Sequence, residues 1–191
     1  MRIVALQGSP RAESNTQAVL DMVLDGARQA GAQTETVRLI ELEDFRGCME
    51  CFGCQGVADK PDCQVEDDML GVLGKLMKAD VIVWATPVFC WSPAWPLKMA
   101  MDRFFCMFKF QEDGQIRSLV EGRRMAAVVT AGGKETDGAD LVQEICRRLV
   151  EFSRCKWEGT FVAAEVKDLE SIRKDAALAG RARAFGKKLA S

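Results

Sequence analysis

Val81-Ile82-Val83-Trp84-Ala85-Thr86, the run VIVWAT closed by Pro87, decides the fold. It is short, apolar throughout and rich in β-branched residues, so both of its faces need cover. That is the mark of a central strand in a parallel sheet. Two similar runs flank it in the sequence. Residues 2–7 (RIVALQ) end at Gly8, and residues 125–130 (MAAVVT) end at Ala131-Gly132-Gly133. Residues 34–40 alternate like a further strand, and residues 160–164 supply a fifth. The stretches between have helical spacing: Ala18, Val19, Met22, Val23 and Ala27 in residues 16–30, closed by Gly31, and Met69, Val72, Leu73 and Leu76 in residues 66–78. Residues 97–105, 138–152 and 168–189 complete the helices. Residues 44–65 have no period and form a long loop, and residues 108–120 are irregular. Strands alternating with helices predict a three-layer α/β fold, with five parallel strands in the order 2-1-3-4-5. Residues 1–191 form one domain on this reading, with 44–65 as an inserted loop.

Composition excludes several classes of function. The 191 residues carry a net charge of −2, with no basic footprint for nucleic acid. No apolar run reaches the ~18–20 residues of a membrane span. The N-terminus reads as a strand rather than a signal peptide, so a cytoplasmic location is expected, with the 8 cysteines mostly reduced. The chain has no histidine, which excludes Ser-His-Asp and Cys-His catalysis and any His-ligated metal.

Four of the cysteines, Cys48, Cys51, Cys54 and Cys63, fall in the window CMECFGCQGVADKPDC with spacing C-x2-C-x2-C-x8-C. Thiols at intervals of three can turn toward one centre, and thiolates select zinc or an iron–sulfur cluster. Three readings stay open from the residues alone: a [4Fe–4S] cluster, a structural zinc, or a reduced metal-free loop. Cys90, Cys106, Cys146 and Cys155 read as small buried hydrophobes, Cys90 being the one to watch because it falls in a turn at a strand end.

In an open α/β sheet, ligands bind beyond the carboxyl ends of the strands. Three turns lie there. Gly8-Ser9-Pro10-Arg11-Ala12-Glu13-Ser14-Asn15-Thr16 offers hydroxyls, backbone N–H groups, a helix N-terminus and an arginine, the equipment for a phosphate. It is neither a P-loop nor a dinucleotide fingerprint. Thr86-Pro87-Val88-Phe89-Cys90-Trp91-Ser92-Pro93 is apolar and aromatic, suited to a planar ring. Thr130-Ala131-Gly132-Gly133-Lys134 lets backbone approach a ligand closely.

The run GSPR-x2-SNT after the first strand resembles the flavin-phosphate loop of the NADPH-dependent FMN reductase branch of flavodoxin-like proteins. The cysteine loop, followed by Asp67-Asp68-Met69, ADVIVWATPVF and LKMAMDR, is similar to the iron–sulfur flavoproteins of that branch. The resemblance implies FMN, with Ser9, Arg11, Ser14, Asn15 and Thr16 around its phosphate. Pro87, Val88, Phe89 and Cys90 would border the isoalloxazine, and Thr130, Gly132 and Gly133 would approach its other edge. It also implies Cys48, Cys51, Cys54 and Cys63 as ligands of a [4Fe–4S] cluster. The chain departs from the family in having Phe89 where a tyrosine is usual, bulky Trp91 for a small residue, and a longer gap before Cys63.

The resulting expectation is an FMN-dependent oxidoreductase or electron carrier. It would move electrons between NAD(P)H, or a small ferredoxin-like carrier, and an acceptor. The alternatives are a cluster-free NAD(P)H-dependent FMN or quinone reductase, and a non-enzymatic flavodoxin-like protein with a zinc loop. Phe104, Phe105, Met107, Phe108 and Phe110 crowd one stretch, which points to a homodimer or homotetramer.

Overall fold

Side-chain alternation along the three inner strands sets the layers of the computed structural model, which describes residues 1–191. The elements run β1 (Arg2–Gln7), α1 (Asn15–Gln29), β2 (Gln33–Arg38), α2 (Met69–Leu76), β3 (Val81–Phe89), β4 (Ser92–Pro93) and α3 (Trp95–Arg103). They continue with β5 (Phe108–Phe110), β6 (Ile116–Ser118), β7 (Arg124–Thr130), α4 (Asp140–Phe152), β8 (Lys156–Ala163), α5 (Leu169–Lys174) and α6 (Ala176–Leu189). The main sheet has the order β2-β1-β3-β7-β8, every neighbouring pair parallel, which is the expected 2-1-3-4-5.

Val4, Leu6, Ile82, Trp84, Met125, Ala127 and Val129 face one side of this sheet, where α2, α3 and α4 cover them. Ile3, Ala5, Val81, Val83, Ala85, Ala126 and Val128 face the other, under α1, α5 and α6. Burial of both faces is why these strands are apolar throughout. Trp84, fully buried, meets Phe104 edge-to-face with ring centroids 5.3 Å apart. Phe104, Met107 and Phe108 belong to this core, so of the aromatic run only Phe110 is largely exposed.

Local structure departs from the sequence reading at four places. β3 does not stop at Pro87 but runs on to Phe89. Ala85 accepts from Gly8 N on the β1 side, and β1 has ended where Pro87 faces that side, so its missing N–H leaves no ladder bond unmade. Residues 108–120 hold a short antiparallel ribbon, β5–β6. β8 begins at Lys156, its pairing with β7 shifted between Met125 and Ala127. The final helix is two, because Asp175 leaves the helical region and caps α6 by accepting from Leu178 N at 2.8 Å.

α1 and α6 pack at backbone contact. A Cβ at Gly186 would stand 1.8 Å from the carbonyl oxygen of Val23, and one at Gly26 would stand 2.0 Å from that of Arg183. Gly186→Ala is therefore expected to lower stability by about 2–3 kcal/mol in urea unfolding, since backbone cannot swing aside as a side chain can. Gly180→Ala, in the same helix with nothing near its would-be Cβ, should raise stability by about 0.5–1 kcal/mol. Equal effects of the two substitutions would show that the helices are not in backbone contact.

Candidate functional site

A groove lies at the carboxyl edge of β1, β3 and β7. Its deeper part is a cavity of ≈ 250 Å³ lined on one side by Ser9, Arg11, Ser14, Asn15 and Thr16. Pro87, Val88 and Phe89 form the opposite wall, and Thr130, Ala131 and Gly132 close the end. Val88, Ala131 and Gly132 are shared with an adjoining cleft of ≈ 460 Å³ that also takes in Cys90, Trp91, Gly133 and Asp137. All twelve residues predicted from the three turns thus border one continuous depression. Five more were missed: Trp91 and Asp137 in the cleft, and Ala131, with Val166 and Lys167 beyond β8. The last two follow a strand's carboxyl end, the same rule that found the others.

The groove is built by local chemistry. Ser14 caps α1, its Oγ accepting from Gln17 N at 3.1 Å and from Gln7 Nε2 at 3.1 Å. The first helical N–H groups, at Asn15 and Thr16, have no intrahelical acceptor, and the first turn carries no acid. The end of α1 is thus ready for an anion. Thr16 Oγ1 and Thr130 Oγ1 share a buried hydrogen bond of 2.7 Å that ties α1 to β7. Gly8 fits beneath α3, where a Cβ would lie 2.5 Å from that of Leu97. Beyond β3 a two-residue turn, Cys90-Trp91, leads into β4 with both residues left-handed, at φ 46° and 60°. Trp91 is 66% exposed and packs on Gly138, and Cys90 is an exposed thiol rather than a buried one.

The cysteine loop sits apart, on the α2–α3 face. Cys48, Cys51, Cys54 and Cys63 all line one small cavity of ≈ 20 Å³, with Cys106 and Arg103 also in its wall. No three of these groups converge closely enough to hold a metal ion. Arg103 and Asp67 form an ion pair in which both side chains are fully buried, with Nη1–Oδ2 2.5 Å and Nη2–Oδ1 2.9 Å. The same guanidinium donates to the carbonyls of Arg46 at 2.8 Å and Val65 at 3.2 Å. Asp67 also accepts from Arg46 N, and Asp68 from Glu43 N and Asp44 N, so both ends of the loop are fastened together. Burial pushes the Cys106 thiol up to about 12, with Cys63 and Cys54 adding to the effect, and burial likewise raises Cys54.

The sequence model of the NADPH-dependent FMN reductases matches residues 1–152. The chain belongs to the NADPH-dependent FMN reductase family. It is an oxidoreductase of the flavodoxin-like fold. An iron-sulfur flavoprotein of Methanocaldococcus jannaschii is 30% identical over 136 residues, 71% of this chain and 67% of that protein. Another, of Archaeoglobus fulgidus, is 32% identical over 132 residues, covering 69% and 60% respectively. Among solved structures, an FMN-dependent NADH-azoreductase from Bacillus anthracis in complex with FMN superposes with a TM-score of 0.75 at 17% identity, covering 100% of both chains. An NAD(P)H:quinone oxidoreductase from Methanothermobacter marburgensis gives 0.74 at 18% identity, covering 99% of this chain and 98% of its own. At that identity the structures speak for the fold alone.

The groove of this FMN reductase family member fits the family's cofactor. The only protein atom near a Cβ built at Gly132 is Val166 O, 4.0 Å away, so no packing demands glycine where both parts of the groove meet. A glycine kept there leaves its space to a ligand. The loop's donor set fits an iron–sulfur cluster: four thiols share a cavity, and the Arg103 Nε beside them is buried without a partner. The sulfurs as folded are not drawn together.

Burial alone would push the Asp67 carboxyl up; the Arg103 guanidinium and Arg46 N–H outweigh it and hold it below its ordinary 3.8. A depressed carboxylate stabilises the fold fully above its unfolded value, and the contribution is lost as pH falls through the folded one. Asp67→Asn, which leaves Arg103 buried and unpaired, is expected to cost about 3–5 kcal/mol near neutral pH. It should also flatten the loss of stability below about pH 4. A urea midpoint unchanged from the parent would show that the pair does not hold the loop.

Proposed function

We propose that this protein is an FMN-dependent oxidoreductase of the iron–sulfur flavoprotein type, passing electrons between NAD(P)H or a small ferredoxin-like carrier and an acceptor. The observation that carries the reading is the groove: ten of the twelve residues expected around FMN line its deeper cavity, and the other two line the adjoining cleft. FMN bound there supplies hydride and single-electron chemistry. The chain's own residues bind, orient and shield. The free N–H groups of Asn15 and Thr16, the hydroxyls of Ser9 and Ser14, and the charges of Arg11 and Lys167 suit a phosphate. Pro87, Val88 and Phe89 form an apolar wall that keeps water from one side. Phe89 offers no hydroxyl, so that wall acts by shape and exclusion alone. Gly132 leaves room on the other side, where its backbone and that of Gly133 would face the ring. The cleft under Trp91 is the open approach for a nicotinamide or other flat substrate.

In this reading Cys48, Cys51, Cys54 and Cys63 hold a [4Fe–4S] cluster, which would make the protein a bridge between two-electron and one-electron carriers. Two relatives named as iron-sulfur flavoproteins and the shared cavity of the four thiols support it. A second reading, a cluster-free NAD(P)H-dependent FMN or quinone reductase, has its own observation, the lack of convergence among those thiols.

One preparation distinguishes them. Anaerobically purified protein is expected to show flavin bands over a broad ~400 nm absorption, with iron and acid-labile sulfide in near-equal amounts. Flavin with fast NAD(P)H oxidation and no iron would establish the second reading. Ser14→Asp keeps a good helix cap but sets an anion against the phosphate, so FMN affinity should fall at least about tenfold, about 1.4 kcal/mol. Unchanged flavin affinity in Ser14→Asp and Thr16→Asp would move the cofactor elsewhere.

A further inference from the structure

The floor beneath the cysteine loop carries more positive charge than the protein balances. Lys109, on β5, is 1% exposed. Its ammonium donates to the carbonyl oxygens of Cys54 and, at 3.3 Å, Pro61, so it reaches into the loop from below. It has no carboxylate partner. Asp62 pairs with Lys60 instead, at 3.1 Å, and Asp59 and Asp62 act on Lys109 only at a distance. The second cation, Arg103, shares Asp67 as its one anion and keeps its Nε buried and unpartnered in the wall of the thiol cavity. Two buried cations therefore face one buried carboxylate, directly under Cys54, Cys63 and Cys106.

A buried unpaired charge is among the most unfavourable things a fold can hold. Four neutral thiols do nothing to relieve it. Metal-bound thiolates do: four of them on a zinc ion or an oxidised [4Fe–4S] core leave a net charge of about −2. Loading such a centre forms four sulfur–metal bonds and releases the four thiol protons to solvent.

We propose that Lys109 and Arg103 are positioning residues that balance the charge of a thiolate-bound metal centre in the cysteine loop, so that the loop is built to be loaded and not to stand as free thiols. This deepens the iron–sulfur reading above and rests on it for the identity of the metal. It accounts for a lysine that is buried without a carboxylate partner. It also gives Lys109 a second effect: a fixed cation near the centre favours its more negative, reduced form.

The test uses full-length protein, parent and Lys109→Met, stripped with a chelator and then offered either ferrous and ferric iron in equal amounts with sulfide, or Zn²⁺ alone, under anaerobic conditions. Lys109→Met is expected to bind the metal at least about tenfold more weakly. When loaded with a cluster, its one-electron midpoint potential should be lower, by about 59 mV for each tenfold loss of preference for the reduced form. Lys109→Met should lower the urea resistance of the loaded protein more than that of the stripped protein, because the hydrogen bonds to the Cys54 and Pro61 carbonyls are lost in both states and the charge balance only in the loaded one. Parent-like metal affinity and potential in the variant would overturn the charge-balancing role while leaving the cluster assignment intact. An equal loss of urea resistance in the stripped and the loaded states would also overturn it, by making Lys109 a structural residue only. Uptake of zinc but not of iron and sulfide would support charge balance and refute the cluster. A parent that takes up neither refutes both, whatever its flavin content.

Discussion

The fully buried pair of Asp67 and Arg103 holds one half of the molecule in place. Its two side chains together bind the backbone at Arg46, Val65 and Met69, so the entry and the exit of the cysteine loop are fixed to the end of α3. Such a pair adds little net stability, since desolvating both charges offsets most of their attraction. What it supplies is uniqueness, because each alternative placement of the loop leaves a charge buried alone. Residues 47–62 can then lack secondary structure beyond a short 3-10 turn at Gly53–Gly56 and still occupy one position.

α3 joins this region to the groove. It opens at Ala94, whose N–H donates to the buried Thr86 Oγ1 at 2.9 Å beside the Cys90-Trp91 turn, and it closes at Arg103 under the loop. A helix of nine residues is about 13 Å long. Leu97, on the same helix, also lies against Gly8 of the phosphate-type loop. The groove and the thiol cavity are thus at opposite ends of one helix, joined through helix and core rather than through a loop.

The sheet was legible because its signal is dense. Val81–Thr86, Arg2–Gln7 and Met125–Thr130 are buried on both faces, and double burial writes itself into composition. The groove was legible because strand ends and a Ser14 cap are local features, and the fold places them together. Other features are tertiary. Lys167 follows β8 in a stretch with no turn signature. Lys109 and Arg103 look like ordinary surface cations in the one-dimensional chain, and only the loop folded over them makes them buried. β5 and β6 are too short, at three residues each, for alternation to stand out. The position of one sulfur relative to another depends on every backbone angle between Cys48 and Cys63, and spacing alone does not determine that.

The backbone contact of Gly26 with α6 has a consequence for how the protein is made. α1 leaves the ribosome well before α6. Until α6 is complete, the outer side of α1, including the surface around Val23 and Ala27, has nothing to cover it, and such long-range closures are the slow ones. The helix whose first turn forms one wall of the groove is therefore locked only after α6 has been made. A nascent chain carries its anion-ready end on a helix not yet covered on its outer side, and it is the fourteen-residue α6, with no residue in the groove, that closes over it.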